Sequence, residues 1–91
     1  MLKVWKFPIV IDDYQSIAMP SGARLLHIDL QNGTPCIWAL VDPHASIVKR
    51  KLRIAGTGHP IDPIETRNHV GTVQMLGGNL IWHVFDLGEV A

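Results

Sequence analysis

The dipeptide Asn32-Gly33 constrains this chain more than any other feature. It stands inside the stretch Arg24 to Val41, between two β-rich runs. Asn and Gly tolerate the two positive φ values of a type I′ turn, whose twist matches that of the strands it joins. A two-residue loop fixes the register. Leu30 then faces Pro35, Ile28 faces Ile37, and Leu26 faces Ala39. These six residues form one apolar face, which is assigned to the core. The opposite face pairs His27 with Trp38 and Asp29 with Cys36, a mixture suited to a pocket wall or an interface.

The rest of the chain repeats this grammar. Lys3 to Ile9 alternates, with Trp5, Phe7 and Ile9 on one face and Val4 and Lys6 on the other. Pro8 cannot donate to a ladder, so this strand lies at an edge or ends there. Ser16 to Met19 reads as a short strand stopped by Pro20, Ser21 and Gly22. From Ile47 to Gly56, Val48, Arg50, Leu52 and Ile54 alternate with the cations Lys49, Lys51 and Arg53. Ile61 to Arg67 reads as irregular chain or one short helical turn. His69 to Met75 and Leu80 to Phe85 flank Gly77-Gly78, a second two-residue turn signal. In that hairpin Val73 pairs with Trp82 and Thr72 with His83. Six or seven short strands without a helix predict an all-β fold, a small antiparallel β-sandwich or barrel. With 91 residues the chain is a single β domain, 1–91.

Charge and cysteine content narrow the partners. Eight basic residues balance eight acidic ones, whereas proteins that coat duplex DNA or anionic membranes carry a basic excess. Non-specific nucleic acid and membrane partners are not expected. Cys36 is the single cysteine, so no internal disulfide is required. Lys3, Lys6, Asp12 and Asp13 interrupt the N-terminal apolar runs, which are too short for a membrane span. A cytoplasmic protein is expected.

The loop Gly56-Thr57-Gly58-His59 is the best candidate for chemistry. Two glycines let backbone N–H groups approach an anion, Thr57 adds a hydroxyl, and His59 adds a ring donor. It follows the strand whose Lys49, Lys51 and Arg53 share a face. The competing reading is a tight turn capped by His59. It is no P-loop, because the Lys and Ser/Thr after the second Gly are absent. Trp38 offers a ring for stacking on a base or for packing in an interface. Five histidines, at 27, 44, 59, 69 and 83, lack the local spacing of a metal pair, and Cys36 has no CxxC partner. No metal or cofactor is expected. Catalytic sets built on Cys36, on Asp12, Asp13 and Asp62, or on His59 with His83 are weaker readings, and no enzyme is expected.

Several runs together are more specific. Met19-Pro20-Ser21-Gly22-Ala23, Gln31-Asn32-Gly33-Thr34-Pro35-Cys36-Ile37-Trp38-Ala39-Leu40-Val41-Asp42-Pro43, Arg53-Ile54-Ala55-Gly56-Thr57-Gly58-His59-Pro60, His69-Val70-Gly71-Thr72 and Trp82-His83-Val84-Phe85 resemble a family of small proteins carried by tailed phages and prophages. The likeness spans nearly the whole chain. The family brings no activity to carry over. It implies a phage-encoded protein in the host cytosol, accessory to virion building, in a size class that often counters host defence.

With the residue reading, this leads to an expected function. A homo-oligomeric domain binds and sequesters a phosphorylated nucleotide-type signal. Lys51 and Arg53 pair with phosphate. The Gly56 to Gly58 backbone and Thr57 donate hydrogen bonds, His59 bridges phosphate or ribose, and Trp38 stacks on the base. On this reading Arg53→Ala weakens binding and leaves the melting temperature unchanged. The alternative is a protein–protein inhibitor or adaptor that docks its His27/Trp38 face on a host defence protein. A phosphodiesterase built on His59 and His83 is a third possibility.

Overall fold

The computed structural model describes residues 1–90. Among them the strands are β1 (Lys3–Pro8), β2 (Tyr14–Pro20), β3 (Arg24–Gln31), β4 (Thr34–Val41), β5 (Ile47–Gly56), β6 (His69–Met75) and β7 (Leu80–Val90). They form two antiparallel sheets, in the orders β1-β4-β3 and β2-β5-β7-β6. The sheets stack as a sandwich in which β3 packs against β6. A single 3₁₀ turn, Pro63–Thr66, interrupts the long β5–β6 connection, and the Asp62 carboxylate caps it by accepting from the Ile64 N–H at 3.1 Å. No helix among the described residues is long and apolar enough to cross a membrane.

The Asn32-Gly33 turn has the expected geometry, with φ of 51° and 82°. Leu30 faces Pro35, Ile28 faces Ile37, His27 faces Trp38 and Asp29 faces Cys36. The expected pairing of Leu26 with Ala39 is corrected. A bulge between Leu25 and His27 puts Leu25 opposite Ala39. One inserted residue reverses the alternation beyond it, so Leu25 packs on the core and Leu26 is exposed.

The second turn keeps the expected register. Val73 pairs with Trp82, Thr72 with His83 and Met75 with Leu80, so Gly77-Gly78 stay at the centre of the turn. Leu76 takes positive φ alongside them, and the ladder ends at Met75 and Leu80. The Asn79 N–H closes the turn by donating to the Leu76 carbonyl at 3.2 Å.

Ile28, Ile37, Leu52, Ile54, Val73 and Val84 form the main buried cluster. Each such side chain contributes about 1.5–3 kcal/mol when removed from water. Met19, Ala23, Ala39 and Val41 form a second cluster near the β2–β3 turn. The inner face of β5 also carries Arg50, whose guanidinium binds Asp86 through two hydrogen bonds of 2.9 Å. Glu89 lies 3.8 Å from the same group and accepts from the Gly22 N–H. This network ties the β2–β3 turn to the end of β7.

A candidate ligand-binding concavity

The expected site residues do not converge on one place. Lys49, Lys51 and Arg53 do share the outer face of β5, but Arg53 is only 8% exposed. Its guanidinium donates to the Ile54, Asp13 and Pro60 carbonyls. Its Nε stands 3.4 Å from Glu65 and its Nη1 3.8 Å from Asp13. The segment after β5 folds back over this strand and uses Arg53 as its anchor. The phosphate role expected of Arg53 is corrected for that reason. Lys51 is exposed, with its ammonium 5.2 Å from the Tyr14 ring centre. Trp38 lies in the other sheet, on the face opposite the core, with its ring 6.4 Å from His27.

Tyr14 reports on this anchor. Its hydroxyl donates to Glu65 at 2.9 Å. That hydrogen bond, with burial and the Glu65 charge adding to it, raises the tyrosine above its ordinary value of 10.0 against the opposing pull of Arg53. The fold favours the protonated phenol. The stability this contributes is present below the unfolded value and is lost as pH rises through the raised one. Tyr14 is the single tyrosine. An ultraviolet titration should place its midpoint above 10.0, and Glu65→Ala should lower that midpoint.

Gly56, Thr57 and His59 do come together, at the end of the sandwich where β5 stops and β7 begins. With Asn79, Leu80, Ile81 and Trp82 they line a concavity of about 230 Å³. The His59 and Trp82 rings meet edge to face, 6.4 Å between centres. Gly56 makes this possible: a Cβ there would sit 2.9 Å from two atoms of the His59 ring and 3.1 Å from Trp82 Cζ3. Gly58 supplies a turn at φ 86° but is not among these lining residues. The Thr57 N–H donates to the Ile81 carbonyl at 3.2 Å, and the His59 N–H to the Gly56 carbonyl at 3.0 Å. These two donors of the expected anion nest are spent on the fold.

Thr57 also joins a chain of side chains on the outer face. Its hydroxyl lies 2.7 Å from His83 Nε2. His83 Nδ1 lies 2.9 Å from the Thr72 hydroxyl, which is 3.4 Å from His69 Nε2. Both nitrogens of His83 are engaged, so its ring is fixed and Thr57 is held at the rim. Residue reading paired Trp82 with Val73 and gave it no part in the site, and it gave His83 a part only in the phosphodiesterase alternative with His59. Asn79 and Ile81 gave no signal, because they reach the concavity only through the pairing of β7 with the end of β5. Leu76, beside Asn79, is a non-glycine residue at φ 52°, a conformation that persists where surrounding structure enforces it.

Fold and site define a small antiparallel β-sandwich with an aromatic-walled concavity at one end that no Lys, Arg, Asp or Glu lines. The chain belongs to the DUF7352 family, a domain of unknown function whose family model matches residues 1–90. No curated protein and no solved structure matches it.

Proposed function

We propose that the concavity binds the base-sized part of a small nucleotide-type ligand, and that the domain holds this ligand without transforming it. The observation that carries the reading is the pairing of the His59 and Trp82 rings in one wall, beside the Thr57 hydroxyl and the Asn79 amide. A volume of about 230 Å³ falls below the roughly 300–1,000 Å³ typical of sites for drug-sized ligands. It suits one planar ring system rather than a whole nucleotide. Contact of a base with aromatic side chains is worth about 1–3 kcal/mol. No Lys or Arg lines the concavity, so any phosphate stays in solvent. Placed in a phage-infected cytosol, such a holder works by sequestering a nucleotide-type immune signal.

Calorimetric titration with the four nucleosides and their monophosphates tests this. A nucleoside and its monophosphate should bind within a factor of about 3, a difference under 1 kcal/mol. His59→Ala should weaken the preferred nucleoside at least about tenfold, or 1.4 kcal/mol, with the fold intact. Absence of binding, or binding that depends wholly on the phosphate, would sink the reading.

A second reading, docking on a host protein, rests on a different surface. Half-buried Trp38 and Leu40 share the outer face of the first sheet with exposed Val4. A partner that remains bound to His59→Ala but is lost with Trp38→Ala would favour it.

A further inference from the structure

We propose that the free edge of β1 pairs with the β1 edge of a second copy of this chain, joining two three-stranded sheets into one of six strands. The direction of the backbone groups carries the inference. The Ile9 N–H donates to the Pro35 carbonyl at 2.9 Å, which extends the β1–β4 register of Lys3↔Val41 to Pro8↔Cys36. In an antiparallel pair, residues alternate between those that exchange hydrogen bonds with the partner and those that do not. Counting back in twos from Ile9, the residues Phe7, Trp5 and Lys3 turn their backbone toward β4. Val4 and Lys6 turn theirs outward, and Pro8 presents only a carbonyl there. β1 pairs with β4 alone, so this row of donors and acceptors has no strand opposite it among the described residues. The comparable edge of β3 is packed against β6.

The side chains agree. Trp5 pairs with the buried Ala39 and so faces inward, yet it remains 37% exposed, with its ring 6.4 Å from that of Phe7. Val4 on this strand and Leu2 just before it are more than half exposed. Lysines on an edge usually guard it against pairing, but Lys6 is drawn across the sheet to the Gln31 amide on β3. The chain carries no net charge, so two copies do not repel as wholes.

Two-fold symmetry fixes how the edges meet. Opposed residues must lie on the same face, so pairs join residues of the same parity. Centring the pair on Trp5 puts it against Trp5 of the second copy, Val4 against Lys6, and Lys3 against Phe7. Val4 and Lys6 then exchange backbone hydrogen bonds in both directions. Pro8 falls at the end of the ladder and supplies its carbonyl to Leu2. No two lysines stand opposite each other. A strand edge buries less than the roughly 1,200 Å² of the smallest stable interfaces, so the dimer is weak and concentration-dependent.

Sedimentation velocity over a wide range of protein concentration is the test. The wild-type chain should shift from monomer to dimer. Val4→Pro should stay monomeric with an unchanged melting temperature, because the N–H it removes points outward and proline suits an edge strand. Lys6→Pro removes the other outward donor and should do the same, so either variant decides if the other misfolds. Trp5→Ala should weaken the dimer. A wild-type chain that stays monomeric throughout, or a folded Val4→Pro or Lys6→Pro variant that dimerises like wild type, would overturn the proposal.

Discussion

Arg53→Ala should unfold much of this domain rather than blunt its binding. Arg53 is buried and stands against Glu65, the Asp13 carboxylate and three backbone carbonyls. Removing one partner of a buried charge pair costs about 3–5 kcal/mol, because the other charge is left uncompensated. Domains of this size hold only about 5–15 kcal/mol in total. Each kcal/mol lowers Tm by about 4–8 °C in a domain of 60–100 residues, so thermal unfolding should show a fall of at least about 12 °C. Arg53→Lys should recover only part of this loss, since an ammonium cannot reproduce the planar fork that serves several acceptors. An unchanged Tm would mean that the guanidinium is not the anchor of the segment after β5. This reverses what the alternation of Lys49, Lys51 and Arg53 suggests by itself.

Gly71→Ala is the second large effect. A Cβ at this position would lie 2.7 Å from Ile28 Cγ2. That methyl belongs to a buried, β-branched side chain with little freedom to move. The clash falls where β6 packs on β3, so relieving it means separating the two sheets. Overpacking of this kind costs about 1–3 kcal/mol. A double-mutant cycle identifies the contact. Ile28→Ala alone should cost about 2–5 kcal/mol as a cavity. The double variant should cost less than the sum of the single ones by at least about 0.5 kcal/mol. Strict additivity in urea unfolding would place the effect of Gly71 elsewhere.

Local signals carried most of the fold. Asn32-Gly33 set one hairpin, the alternation from Val48 to Ile54 set the central strand, and Pro8 marked an edge strand. Gly77-Gly78 set the register of the second hairpin as well. The error in the first hairpin has a physical origin. The bulge at Leu26 belongs to the pairing of β3 with β4, which no single strand's alternation records. The site was legible to the extent that it was local. Gly56, Thr57 and His59 are neighbours in sequence and stay so in space. Trp82 enters because β7 pairs with β5, opposite Gly56. Trp38 leaves because β4 belongs to the other sheet. Arg53 could not be recognised as internal, because its cover comes from Pro60 and Glu65, further along an irregular segment.

Amide chemical-shift mapping with an unphosphorylated nucleoside tests the central claim most directly. Shifts confined to Gly56, Thr57, His59 and Asn79 to Trp82, with Trp38, Lys51 and Arg53 unmoved, are the expected result. Shifts centred on Trp38 and Lys51, or none at millimolar nucleoside, would contradict it.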